Sequence, residues 1–269
     1  MTSWKMTYDI RNSTCAQQTL VSLTGVPLSI WKQYVGQENE FRCTDNLVEY
    51  IVSSYGNLPQ NYRDFIFIYF HITTSANGCA SFRKYGVLNL TDAYLCSDSE
   101  LRMFLEKRNI YIDLQQEILR YGKKTFDIHF GCCPKENTEA YHCWSVGRKF
   151  YYDFGTCGFL SISEMSPYLG QVHRRPEILM DIDNLLQTNL SQEWASKHIA
   201  YEIVAQIKGS NIVYDGYGNS EEKDIVLSYL SSAYSIAFGR SSQKILLAEK
   251  KVHIPPTDIL EINQIKYWK

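Results

Sequence analysis

The chain of 269 residues lacks the features that mark membrane, secreted or repetitive proteins. No segment approaches the ~18 consecutive apolar residues of a membrane span. The N-terminal stretch Met1–Asp9 lacks the charged and then apolar pattern of a secretory signal. No internal repeat or low-complexity segment is present. These absences predict a cytoplasmic protein with no membrane partner.

A strong net charge is also absent. The formal net charge is −2 at pH 7, so any contact with nucleic acid must come from a local basic patch. Apolar residues make up 45% of the chain and charged residues 21%, values typical of a globular fold. In a reducing cytosol, the eight cysteines are expected to be buried thiols, metal ligands or reactive groups rather than disulfides.

The first 60 residues predict a mainly helical lobe. Leu47, Tyr50 and Ile51 have the i, i+3, i+4 spacing of one helix face. Gly56–Gln60 has the composition of a turn and separates this lobe from a strongly apolar run. We therefore expect residues 1–60 to pack as a lobe on a core formed by residues 61–269.

The most informative motif is His71-Ile-Thr73, which follows the apolar run Asp64–Phe70. That run is aromatic and β-branched and too short for a helix core, so it predicts a buried strand that delivers His71 to a cleft. A short helix is expected over the following residues, up to Tyr85. Gly86 is expected to end it with a left-handed backbone before extended structure resumes.

This order of strand, His-x-Thr, short helix, glycine and strand resembles the opening of the ADP-ribosyltransferase fold, especially its nucleic-acid-modifying and bacterial toxin branches. The segment Gln243–Ile262 is similar to the family's late segment, in which a strand with the catalytic glutamate precedes a hydrophobic-proline step. The resemblance implies an α+β fold with an ADP-ribosyltransferase-like split β-sheet core and flanking helices. A β-rich, cysteine-rich insertion is expected at about residues 125–180.

The resemblance also implies NAD as a substrate and a role for each motif residue. His71 and Thr73 would bind the ribose next to nicotinamide. Tyr94, which is expected at the end of a short extended segment, matches the tyrosine of the family's His-Tyr-Glu class and would stack on nicotinamide. Breaking the bond between nicotinamide and ribose develops an oxocarbenium cation, which a carboxylate stabilises.

Glu249 is the favoured catalytic carboxylate because the Ile254-Pro-Pro256 step follows it. Lys244 stands at the head of Ile-Leu-Leu, where the family's pattern would place a glutamate. Glu202, which heads another apolar segment, is therefore a rival for the catalytic role.

Several potential zinc ligands lie in the predicted insertion, where residues 149–154 also predict a strand. Four thiols and an imidazole lie close together in sequence, as Cys132, Cys133, His142, Cys143 and Cys157. These residue types suit a tetrahedral zinc site, but their spacing is not that of a Cys-x2-Cys pair. Free buried cysteines are the favoured interpretation, so no metal is predicted.

Arg174 and Arg175 form a compact basic spot next to Pro176. Guanidinium groups match phosphate oxygens, so the pair is a candidate for binding a phosphate of NAD or of a nucleic acid. A solvated loop with ordinary surface ion pairs is the favoured interpretation.

Three functions remain open. The favoured one is a mono-ADP-ribosyltransferase that modifies a macromolecular acceptor, RNA or DNA rather than protein, as a toxin-like effector of bacterial antiphage defence. An antitoxin protein is then a further candidate partner. The second is a zinc-stabilised nucleic-acid-binding module without catalysis, in which some of the 20 tyrosines stack on bases. The third is a partner-binding protein of the same fold with a dead site.

Overall fold

The computed structural model describes residues 6–129, 131–152, 155–162, 171–214, 221–240 and 243–266. Within these ranges the protein is α+β, with sheets that are mainly antiparallel, so the α+β class expected from the sequence is confirmed. Residues 130, 153–154 and 163–170 of the predicted insertion lie outside the described residues. No helix in the described ranges is long and apolar enough to cross a bilayer.

The helices in these ranges are short to medium in length. They are α1 Ser13–Thr24, α2 Leu28–Gln33, α3 Thr44–Tyr55, α4 Ala80–Tyr85, α5 Leu90–Leu95, α6 Glu100–Glu106, α7 Glu139–Tyr151, α8 Ile178–Leu186, α9 Leu190–Ala195 and α10 Glu222–Ala237. Capping residues explain several starts, because a side-chain oxygen accepts a hydrogen bond from the first turn at Asn12, Asn89, Ser99 and Thr138.

The strands are β1 Met6–Tyr8, β2 Phe65–Ser75, β3 Ile110–Asp113, β4 Ile118–Tyr121, β5 Lys124–Asp127, β6 Cys157–Ser161, β7 Ile199–Lys208, β8 Ile212–Val213, β9 Lys244–Ala248 and β10 Ile259–Gln264. The strand predicted before His71-Ile-Thr73 is confirmed, and it includes the motif itself.

The chain divides into two units. Unit 1 comprises residues 1–71, 157–167 and 204–249, and unit 2 comprises residues 72–156, 168–203 and 250–269. The boundary expected near residue 60 falls inside unit 1. Strands β2 and β7 each contribute residues to both units.

Unit 1 contains a mixed sheet and a helical layer. β1 pairs in parallel with β2, β2 is antiparallel to β6, and β9 is antiparallel to both β6 and β8. Helix α10 packs against α1 and α3. Aromatic rings fill the interior, where Tyr8 contacts Phe65, Phe67 and Tyr229.

Unit 2 has its own hydrophobic core. Helices α5 to α9 and the antiparallel sheet β3-β4-β5 contribute buried side chains to it. Gly86, which ends α4, has φ +84°, and a Cβ there would lie 1.8 Å from the carbonyl oxygen of Ile254. The positive φ expected at Gly86 is confirmed, and the close approach explains why glycine is required.

Two local predictions in this part of the chain were wrong. Residues 149–151 belong to helix α7 rather than to a strand, so the predicted insertion is less β-rich than expected. Thr138 caps this helix and residues such as Val146 and Phe150 form its buried face. Tyr94 was expected in an extended segment but lies in helix α5, which Asn89 caps.

Candidate functional site

His71 is the last residue of β2 that belongs to unit 1. Its ring Nδ1–H donates to the carbonyl oxygen of Cys157 on β6, at 2.9 Å. Burial lowers the pKa of His71, and the hydrogen bond to the carbonyl opposes that shift. The ring is therefore neutral near pH 7, with the lone pair on Nε2.

Glu249 directly follows β9 in unit 1 and is exposed. Its backbone N–H donates to the carbonyl oxygen of Asn211 at 2.8 Å. Because β2 and β9 are both antiparallel to β6, they run in the same direction. Glu249 lies just beyond the end of β9, whereas His71 is the seventh of the eleven residues of β2.

The register gives the approximate separation of these two residues. Phe70 is level with Phe159, which is level with Ile245, so Glu249 lies three positions farther along than His71. With strands about 4.8 Å apart and residues about 3.3 Å apart, the two Cα atoms differ by about 10 Å across the sheet and about 10 Å along it. Because Glu249 lies beyond the last strand residue, the alternation along β9 does not fix its face.

Lys244 lies at the opposite end of β9, where it is level with Ser161. By the same register Lys244 lies about two positions behind His71 along the sheet, whereas Glu249 lies three positions ahead of it. Glu202 is a half-buried residue on the unit 2 part of β7, the strand next to β2 in the sheet order β10-β7-β2-β6-β9-β8. Of the two candidate carboxylates, Glu249 is the one that belongs to unit 1 with His71.

Tyr94 does not fit the role that the resemblance implies. The residue is 3% exposed, its ring packs edge-on against Phe150, and its hydroxyl oxygen accepts a hydrogen bond from the N–H of Ile112. A ring enclosed in this way has no open face for nicotinamide, so this geometry does not support the predicted stacking. Thr73 is half-buried on the unit 2 part of β2.

The two arginines do not form a shared exposed patch. Arg174 is exposed, whereas Arg175 is buried, with a guanidinium nitrogen 3.3 Å from the sulfur of Met180. A phosphate site that uses both guanidinium groups, as predicted, is not supported by this arrangement.

The candidate metal ligands are also dispersed. Cys132 and Cys133 are exposed, His142 and Cys143 lie on α7, and Cys157 belongs to unit 1. Burial raises the pKa of the Cys143 thiol to about 11, so this thiol is protonated near pH 7. In the described part of the chain, no three His, Cys, Asp or Glu side chains come together to hold a metal ion.

Unit 2 contains a cleft of about 640 Å³ between α6 and α9 that none of the sequence motifs predicts. The residues that follow β2, Ala76 and Asn77, form part of its lining. Other lining side chains are acidic, basic and aromatic, and include Glu100, Phe104, Lys107, Arg108, Lys197 and His198. The cleft thus combines charged groups with apolar surface and lies where the His-x-Thr strand ends.

Glu100 is the best-connected acidic group in this cleft. One carboxylate oxygen accepts a hydrogen bond from the Ser75 hydroxyl at 2.6 Å, and the other accepts from the Ala76 N–H at 2.8 Å. The second oxygen also lies 3.5 Å from Nε2 of His198. These contacts hold the carboxylate in one orientation beside an imidazole.

His198 is positioned from the other side by Trp194. Its Nδ1–H donates to the Trp194 carbonyl oxygen at 2.8 Å, and the two rings stack with centroids 3.5 Å apart. The indole N–H of Trp194 donates to the Thr74 hydroxyl at 2.8 Å. The spacing of Trp194 and His198, i and i+4 where helix α9 ends, is the one sequence signal for this contact.

The basic side chains of the cleft differ in how they are paired. Arg108 donates to the Glu193 carboxylate at 2.6 Å and lies over the ring of Phe104. Within the described residues, the ammonium groups of Lys107 and Lys197 make no ion pair, and both residues are exposed. Two cations therefore remain available at the rim.

No protein-family model matches the chain, and neither the curated proteins nor the solved structures contain a significant match.

Proposed function

We propose that the protein is a mono-ADP-ribosyltransferase that transfers ADP-ribose from NAD to a macromolecular acceptor, with RNA or DNA favoured over protein. In this proposal the core is the split-sheet fold of that family, and the protein acts as a toxin-like effector in antiphage defence. The observation that carries the proposal is that His71 on β2 and Glu249 just after β9 belong to the same sheet of unit 1, on strands that run in the same direction.

The chemistry needs one hydrogen-bonding group and one carboxylate. A neutral His71, held by the Cys157 carbonyl, would accept a hydrogen bond from a ribose hydroxyl through Nε2 and fix the ribose geometry. The Glu249 carboxylate would stabilise the positive charge that develops on the ribose as nicotinamide leaves. It would also orient or deprotonate the nucleophile of the acceptor.

The burial of Tyr94 changes one part of the family-derived scheme. Nicotinamide must be held flat by a different group, or by contacts that need no aromatic ring. The proposal therefore keeps NAD, His71 and Glu249 and assigns no stacking residue.

The test is the release of nicotinamide from NAD by the purified full chain, followed by chromatography. Glu249→Gln keeps the size of the side chain and removes its charge, so turnover is expected to fall by about 100-fold or more. His71→Ala is expected to lower turnover strongly as well. Glu40→Gln, at another exposed position of unit 1, is the matched control and should leave turnover unchanged.

The rival carboxylate and the acceptor are tested in the same assay. If Glu202→Gln rather than Glu249→Gln abolishes turnover, the assignment of Glu249 is wrong. If the wild-type chain releases no nicotinamide with RNA, DNA or protein present, the transferase proposal is rejected. Mass spectrometry of these three acceptors after incubation with labelled NAD identifies the one that is modified.

A further inference from the structure

We propose that the cleft between α6 and α9 of unit 2 binds a ribonucleoside phosphate through its ribose hydroxyls and its phosphate group. The residues involved are separate from His71 and Glu249. The inference goes beyond ADP-ribosyl transfer and stands on the geometry of this cleft alone.

The first step is a pair of hydrogen-bond acceptors that face each other. Because Nδ1–H of His198 donates to the Trp194 carbonyl, a neutral ring carries its lone pair on Nε2. That atom lies 3.5 Å from a carboxylate oxygen of Glu100. Two acceptors cannot satisfy each other, so the pair calls for a donor supplied from the cleft.

The protonation state supports this description. Burial lowers the pKa of His198, and the nearby positive charges of Lys197 and Arg108 act in the same direction. The Trp194 carbonyl and the Glu100 carboxylate act against them. The net lowering keeps the ring neutral near pH 7 and leaves Nε2 as an acceptor.

Ribose hydroxyls suit this pair. Two neighbouring hydroxyl groups can donate separately, one to the carboxylate of Glu100 and one to Nε2 of His198. Carboxylate recognition of a ribose hydroxyl recurs in nucleotide-binding proteins for the same reason. Ser75 and Ala76 already hold the carboxylate, so binding need not order it.

The rim supplies the charge for a phosphate. The ammonium groups of Lys107 and Lys197 have no ion pair within the described residues, whereas Arg108 is bound to Glu193. A phosphate that enters the cleft would therefore meet two available cations.

The cleft offers little for recognition of a base. The ring of Phe104 is covered by Arg108, whose guanidinium carbon is 3.6 Å from the ring centroid, and Trp194 is buried. The volume of about 640 Å³ is within the usual range for a small-ligand site. We therefore expect the sugar and the phosphate, rather than the base, to determine affinity.

The experiment is calorimetric titration of the full chain with AMP, GMP, 2′-deoxy-AMP and adenosine, without NAD. AMP and GMP are expected to bind with similar affinity. Loss of one hydroxyl or of the phosphate is expected to weaken binding about tenfold or more, since each removes a contact with a buried or charged partner.

Two sets of variants test the named residues. Glu100→Gln and the pair Lys107→Ala with Lys197→Ala should each weaken AMP binding about tenfold or more. The lysine pair should leave adenosine binding unchanged. Its matched control is Lys123→Ala with Lys124→Ala, two exposed lysines of the same unit, which should have no effect on AMP.

The outcomes separate the sources of this chemistry. Tighter binding of ADP-ribose than of a short RNA supports a small nucleotide ligand, and the reverse order supports an RNA ligand. Both results support the proposal. Absence of AMP binding, equal binding of 2′-deoxy-AMP, or equal losses in the two lysine pairs would overturn it. These results do not depend on NAD turnover, so they are distinguishable from failure of the transferase proposal.

Discussion

The hydrogen bond between Trp194 and Thr74 supports the wall of the cleft, and its contribution to stability is measurable. The indole N–H donates to the Thr74 hydroxyl oxygen at 2.8 Å, between residues that are 2% and 6% exposed. Because the indole also stacks on His198, this bond fixes the ring that positions the imidazole.

The structure gives the expected magnitudes for two substitutions. Trp194→Phe removes the N–H, and loss of this buried hydrogen bond should lower the free energy of unfolding by about 1 kcal/mol. The small cavity that remains should lower it by about 1–2 kcal/mol more. Thr74→Val removes the acceptor at nearly constant volume and leaves the indole N–H unpaired, which costs about 1–3 kcal/mol. The double variant has neither partner, so it should be more stable than the sum of the single effects indicates, by about 1 kcal/mol.

The assay is urea unfolding of the four proteins, followed by circular dichroism so that the missing tryptophan does not alter the signal. The coupling energy is the difference between the double variant and the sum of the single variants. A coupling within about 0.3 kcal/mol of zero, the usual error of additivity, would refute the claim that this bond stabilises unit 2.

Three further predictions follow from individual residues. Stability should fall as the pH drops below about 6.5, because the unfolded chain then binds a proton that the buried His71, with its lowered pKa, does not. His71→Gln should reduce this dependence. Gly86→Ala should destabilise by more than about 2 kcal/mol, since its Cβ would clash with a carbonyl oxygen. Gly78→Ala, with φ +70° but open space, should cost only about 1 kcal/mol. Lys244→Glu should not restore NAD turnover to Glu249→Gln, because the two positions lie at opposite ends of β9.

Each of these has a contradicting result. Thermal melts at several pH values measure how stability depends on pH. If this dependence is the same in His71→Gln as in the wild type, the pKa of the His71 imidazole is not lowered in the folded protein. If Gly86→Ala and Gly78→Ala lower the free energy of unfolding in urea equally, the contact with the Ile254 carbonyl adds nothing to the cost at Gly86. Recovery of nicotinamide release by Lys244→Glu would place the catalytic carboxylate at the start of β9.

The sequence predicts local structure well where composition alone decides it. The run before His71 is β-branched and aromatic and forms β2, and Gly86 has the positive φ expected of it. Prediction fails where packing decides. Residues 149–151 have strand-like composition, but Thr138 caps a helix that continues through them, and the core of unit 2 buries Phe150.

The cleft could not have been predicted from local patterns. Glu100 opens helix α6 and His198 follows helix α9, far apart in sequence, and only the fold of unit 2 brings them to 3.5 Å. The same fold places Tyr94 in the core of unit 2. From the sequence alone, a tyrosine in a short helix suits a hydrophobic core as well as a ligand site. The burial of the side chain, which the sequence does not give, distinguishes these two roles.

His71 and His198 share an electrostatic arrangement that constrains what each can bind. Each donates Nδ1–H to a backbone carbonyl, and burial lowers the pKa of each. A neutral imidazole held in this tautomer offers a lone pair and no positive charge, so it suits a hydroxyl group and gives little attraction to a phosphate. Phosphate binding in unit 2 must therefore come from Lys107 and Lys197, while the imidazole recognises the sugar. Acidification protonates the imidazole and removes its acceptor, so sugar recognition should weaken at low pH even though the attraction for phosphate increases.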